Sequence, residues 1–359
     1  MVLNATDDSS EPRCILGGCW GEPSYMFTEK DTRSSWDRLP QNGFRCVQYP
    51  QGKESLPRAL FKSLKQEPSR GFLNLKPFTN EEFDSIRAFY QYDRTALNPV
   101  VESRRDSSPF WIEEKITFDG AYAGQRVIAH LFLPKAGKPP YQIVIYFPGA
   151  NAIYEKFFTG PPYRALTKHI IKSGRAMLFP IYYGTYQRPS SRGRTWTMSD
   201  VVETPFAYRE WTIKMAKDLS RSIDYLLSRD DIDSLKIAYY GYSMGALLGT
   251  VMLAVEDRIG TGIFVHGGIP PMNFPRSFDL ALYAQRVKIP ILMVNGREDV
   301  LLPLRTSQLP MYELLGTPSE HKEHKLYPGG HGVFGLFYKQ VQGDVIAWLD
   351  CYLGPPNEK

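Results

Sequence analysis

Residues 235–253 read LKIAYYGYSMGALLGTVML and decide the fold. An apolar run, Leu235–Tyr240, leads into Gly241-Tyr242-Ser243-Met244-Gly245 and then into a helical pattern. The G-x-S-x-G spacing has a steric origin. A serine on a tight strand-to-helix turn needs small neighbours two positions away, because larger side chains would strike the strand or the helix. The turn presents the Ser243 hydroxyl above the carboxyl edge of a sheet, at a helix N-terminus.

Outward from this turn, short apolar runs alternate with longer helical patterns. The expected strands are 111–118, 127–133, 142–147, 176–182, 236–240, 262–265 and 289–294. The first two alternate as antiparallel strands do, and the later ones are almost continuously apolar, as strands covered on both faces are. The expected helices are 161–173, 208–228, 244–255, 306–315 and 339–353. This pattern predicts an α/β fold with a mostly parallel central sheet and helices on both faces. A capping box at Thr79-Asn80-Glu81-Glu82 predicts one further helix, with Phe83, Ile86, Phe89 and Tyr90 on one stripe. Three zones follow: an irregular extension over 1–55, a linker with one helix over 56–108, and a catalytic unit over 109–356.

A serine hydroxyl needs a base, and the base an orienting carboxylate, met in this fold in the order serine, acid, histidine. Strand 289–294 runs into GREDVLLP, where Asp299 is the expected acid and Glu298 its rival. Further on, LYPGGHGVF supplies His331 as base, flanked by glycines. His130 and His169 fall in a strand and a helix. His321 and His324 in EHKEHK read as a solvated charged face, and His266 in VHGG as structural or pocket-lining. The oxyanion hole is expected from the amide of Met244 and that of Ala150 or Asn151 in YFPGAN. Residues 182–208 are long for a simple connection and suit a binding role. Phe147, Tyr183, Trp196, Phe206 and Tyr242 are the candidate substrate-binding residues.

YFPGAN, GYSMG, GREDVLLP and GGHG, in that order, resemble the α/β-hydrolase family, over about 109–356. The nearest branch is that of the dienelactone hydrolases, acetyl xylan esterases and S9 peptidases. The resemblance implies Ser243 as nucleophile, Asp299 as acid and His331 as base. Dienelactone hydrolases carry cysteine at the nucleophile, so Ser243 favours ester hydrolysis. S9 peptidases add a propeller, for which residues 1–108 are too few.

Gly17-Gly18-Cys19-Trp20, Arg33 and Asn42-Gly43-Phe44-Arg45-Cys46-Val47 resemble the C-terminal end of a formylglycine-generating-enzyme-type domain. The cysteine pair those enzymes carry between the two motifs is absent from 22–36, so no oxidase activity is carried over. Some bacterial multidomain kinases resemble this arrangement.

The bulk numbers exclude other classes. The 359 residues are 43% hydrophobic and 23% charged, an ordinary globular mixture. A net charge of +5 without a basic run argues against a nucleic-acid partner. Four cysteines without metal-ligand spacing fit reduced thiols in a cytoplasmic protein. No apolar run approaches the ~20 residues of a membrane span. The expected activity is therefore a serine carboxylesterase acting on a small short-acyl or aryl ester, with no metal or organic cofactor. A serine peptidase or amidase and a non-catalytic module of a larger assembly stay open, as does assembly into a homo-oligomer.

Overall fold

The computed structural model describes residues 12–16, 30–34, 71–122, 124–161, 164–190, 204–331 and 337–357. In the first seventy, β1 (Pro12–Leu16) and β2 (Lys30–Ser34) form an antiparallel pair. The rest of the stretch resembling the formylglycine-generating enzyme lies outside the described residues.

The main sheet has nine strands: β3 (Val100–Arg105), β4 (Trp111–Asp119), β5 (Arg126–Pro134), β6 (Tyr141–Phe147), β7 (Ala176–Ile181), β8 (Ile232–Tyr242), β9 (Thr261–Val265), β10 (Ile291–Gly296) and β11 (Lys322–Tyr327). Their spatial order is β11-β10-β9-β8-β6-β7-β5-β4-β3. The six strands from β11 to β7 are parallel, and β5, β4 and β3 add antiparallel. The chain reverses direction across the sheet at β6. It leaves for β7 on one side and returns to β8 on the other, opening a crevice at the carboxyl ends of β6 and β8.

Alternation along β6 shows why the sheet needs two covers. Ile143, Ile145 and Phe147 enter one apolar cluster, Val144 and Tyr146 the other. The first is closed by α4 (Pro205–Leu227), α5 (Met244–Val255) and α6 (Leu280–Ala284). The second is closed by α3 (Arg164–Lys172) and α8 (Tyr338–Leu353). A one-turn helix, α2 (Asn151–Tyr154), follows β6, and α7 (Leu309–Leu314) precedes β11. Where one helix was expected over 306–315, a wide π-turn, Leu304–Gln308, comes before α7.

Two strands of the main sheet depart from the sequence expectation. β3 extends the sheet into the stretch expected to be a linker; as an edge strand it exposes nearly every side chain, so its sequence, VVESRR, carries no alternation. In the same stretch, α1 (Asn80–Arg87) forms with its capping box at Thr79, and Phe72, Phe78, Phe83 and Tyr90 enter the first cluster. β11, KEHKLY, is the other edge, and its charges conceal a strand. His324 on it is only half-exposed: Nε2 lies 3.1 Å from Asn295 Oδ1, and burial lowers the imidazole to about 4.

Candidate active site

Five neighbouring strands each deliver one part of the site just past their carboxyl ends: β6 the loop 148–151, β8 Ser243, β9 His266, β10 Asp299 and β11 His331. Ser243 has φ 50°, a left-handed conformation a non-glycine residue rarely adopts. Two bonds hold it there. Its N–H donates to Val265 O (2.8 Å), and its C=O accepts from Leu247 N–H (2.9 Å), opening α5. A Cβ on Gly241 would overlap the Gly245 carbonyl, so the glycine spacing is a steric necessity.

The Ser243 hydroxyl lies 2.8 Å from His331 Nε2, and His331 Nδ1 lies 2.7 Å from Asp299 Oδ2. A carboxylate can only accept, so Nδ1 carries the proton, and in the neutral ring Nε2 is left to accept from the serine. The other Asp299 oxygen accepts from the amides of Leu301 and Leu302, both at 2.9 Å. The carboxylate is fully buried, while the His331 side chain keeps 10% of its surface open.

Glu298 does separate work. Its carboxylate accepts from Gly329 N–H, and its own N–H donates to Gly329 O at 3.0 Å. It thus ties the acid turn to the histidine loop, while Asp299 meets the imidazole. Gln308, which the sequence did not single out, donates from Nε2 to Gly296 O (3.0 Å) and Leu302 O (2.9 Å), bracing the same turn. A lone glutamine outside any motif carries no signal of this.

Of the expected oxyanion donors, Met244 directly follows Ser243, and Ala150 and Asn151 lie at the end of the loop after β6. Met244 is the first residue of α5, where amides have no carbonyl within the helix. In the loop after β6, Ala152 N–H donates to Gly149 O and Ile153 N–H to Ala150 O. The amides of Ala150 and Asn151 come before that turn closes. A Cβ on Gly149 would stand 3.1 Å from the Tyr242 ring and 3.5 Å from Ser243 Cβ, so this loop lies against Ser243. Asn151 Nδ2 donates to Glu155 Oε1 at 2.8 Å.

The substrate-binding candidates scatter more. Tyr242 is buried, with its ring against Gly149 and His266. Phe147 is fully buried and stacks on Tyr182, so its side chain belongs to the core under the site. Tyr183 is half-buried, edge-on to Tyr122 and under the Lys214 ammonium. Phe206, on the first turn of α4, is 64% exposed beside Arg209. Trp196 lies outside the described residues. The connection around Tyr183 is pinned by a buried pair: Arg188 Nη1 meets Asp218 Oδ2 at 2.6 Å, and Tyr122 Oη donates to Asp218 Oδ1 at 2.9 Å.

The same architecture occurs in solved structures. An acetyl xylan esterase from Paenibacillus sp. R4 matches with a TM-score of 0.58 and 21% identity, over 78% of this chain and 96% of that one. The fold is the α/β-hydrolase fold. Acetyl xylan esterase 1 from Thermoanaerobacterium sp. JW/SL YS485 (TM-score 0.59, 15% identity, 80% of this chain and 100% of that one) shares this α/β-hydrolase architecture. A cold-adapted esterase from an Arctic intertidal metagenomic library does so too (TM-score 0.54, 17% identity, 72% and 100%). By sequence, the phospholipase/carboxylesterase family of α/β-hydrolases matches residues 193–343, a span holding Ser243, Asp299 and His331. No curated protein matches the chain. The family match supports a hydrolase acting on ester bonds. Among the described residues no helix is long and apolar enough to cross a membrane.

Proposed function

We propose that the chain is a serine carboxylesterase for small esters of short acyl groups or aryl alcohols, working through an acyl-enzyme intermediate. One observation carries this reading: the hydrogen-bonded line from Ser243 Oγ through the His331 imidazole to Asp299, with spacings of 2.8 and 2.7 Å.

The ester carbonyl sits over Ser243. His331 Nε2 takes the hydroxyl proton as Oγ attacks, and Asp299 steadies the imidazolium that forms. Negative charge gathers on the carbonyl oxygen, where the amides of Met244 and of Ala150 or Asn151 stabilise it. His331 returns the proton to the leaving alcohol. It then draws one from water, whose oxygen attacks the acyl carbon, and Ser243 leaves with that proton. Tyr242 and Tyr183 flank the bound ester in this scheme, and residues 1–55 take no part. The short-acyl preference draws support from the acetyl xylan esterases among the neighbours.

The test is a panel of aryl esters of increasing acyl length with matched anilides, run with and without residues 1–55, together with fluorophosphonate labelling. Wild type should turn over aryl acetates far faster than the anilides and take the label, and Ser243→Ala should do neither. Anilide turnover comparable with ester turnover points to a peptidase or amidase. No label and no turnover points to a non-catalytic module.

A further inference from the structure

His266 has no role in the reaction above, yet it stands beside the residues that do. It follows β9, between the strands that deliver Ser243 and Asp299, and is completely buried. Its backbone is held at φ 54°, in the left-handed region, with its N–H donating to Val294 O at 2.8 Å. Its ring lies edge-on to Tyr242 and 5.4 Å from the His331 ring. Strain of this kind persists only where the surroundings impose it, and it gathers at working sites. One donor atom each from His266, Asp299 and His331 lies within 4.8 Å of the other two.

We propose that these three side chains form a binding site for a divalent transition-metal ion of the Zn²⁺ type, and that its occupancy switches the hydrolase off. Two imidazoles and a carboxylate suit Zn²⁺, Ni²⁺ or Cu²⁺ and are a poor set for Mg²⁺ or Ca²⁺. Tetrahedral Zn²⁺ holds its donors about 3.3 Å apart, following from metal–ligand bonds of about 2.0–2.1 Å. Donors within 4.8 Å need to close by at most about 1.5 Å, and where His331 offers Nδ1, its 2.7 Å contact with Asp299 Oδ2 opens instead. The His331 side, the more open one, offers access.

The inhibition follows from the nitrogen chemistry, and it rests on His331 being the base. If the ion takes His331 Nε2, it occupies the lone pair that accepts the Ser243 proton. If it takes Nδ1, the proton there moves to Nε2, which then has no lone pair to offer. In both cases the imidazole stays neutral overall, no proton is lost, and no base faces Ser243.

The experiment pairs calorimetry with kinetics. Zn²⁺ is titrated into chelator-treated Ser243→Ala protein, which keeps all three ligands, and aryl acetate turnover by wild type is followed at buffered free Zn²⁺. Expected are one ion per chain, turnover falling with occupancy and returning with EDTA. His266→Asn, chosen because asparagine tolerates a positive φ, should weaken Zn²⁺ binding tenfold or more in both assays. Unchanged Zn²⁺ affinity in His266→Asn, or no binding to Ser243→Ala, overturns the proposal. If His266→Asn does not fold, Co²⁺ bound to unsubstituted protein serves instead: tetrahedral visible bands support the site, and their absence overturns it. If wild type hydrolyses no ester, the esterase reading fails while calorimetry still tests the metal site.

Discussion

A Cβ on Gly245 would overlap the carbonyl oxygen of Phe147, the last residue of β6. The start of α5 and the end of β6 are therefore in backbone contact, which brings the loop 148–151 over Ser243. Gly245→Ala must push the two apart. It should lower kcat by about 10²-fold, since small misplacements at a reacting centre are costly, and destabilise the fold by about 1–3 kcal/mol. Turnover and urea unfolding measured on the same protein check this; unchanged kcat means the contact does not place the oxyanion loop.

The adjacent carboxylates give a sharp comparison. Asp299 accepts from His331, whereas Glu298 accepts from Gly329 N–H. Ser243→Ala and His331→Ala should each reduce kcat by about 10³-fold or more, and Asp299→Asn by less than the serine change. Glu298→Gln keeps an acceptor for Gly329 and should cost under about tenfold. A larger loss in Glu298→Gln than in Asp299→Asn would show that the two carboxylates have been assigned the wrong way round.

Arg188 and Asp218 are both buried and bonded to each other. Removing one charge strands the other, so Arg188→Met should cost about 3–5 kcal/mol in urea unfolding. Arg188→Met with Asp218→Leu should recover part of that loss. No recovery in the double variant would mean the loss comes from Arg188's other bonds, to Ile181 O and Tyr122 Oη.

His324 predicts a pH dependence of stability. The unfolded imidazole takes up a proton near 6.5, the folded one only near about 4. Between these values the unfolded chain holds more protons, so the contribution is complete above the upper value and is lost as pH falls towards the lower one. The unfolding free energy of wild type should therefore drop more steeply than that of His324→Asn across this window. The difference in slope should be at most ~1.4 kcal/mol per pH unit. Parallel curves in urea titrations would mean that His324 stays accessible to protons in the folded protein.

Local patterns were legible wherever a residue's environment repeats along the chain. The glycine spacing around Ser243, the order of Asp299 and His331 after it, the capping box at Thr79 and the apolar strands beneath the site could all be read without coordinates. Each depends on neighbours a few positions away, or on the order in which the connections must run. Only the tertiary structure decided that Asp299 rather than Glu298 faces the imidazole, that the charged KEHKLY and exposed VVESRR are edge strands, that Phe147 lies in the core, and that His266 stands against Asp299 and His331. These depend on which strands become neighbours in the sheet. Strand order brings together residues far apart in the chain, and no periodicity within one segment encodes its position at an edge or beside a particular partner.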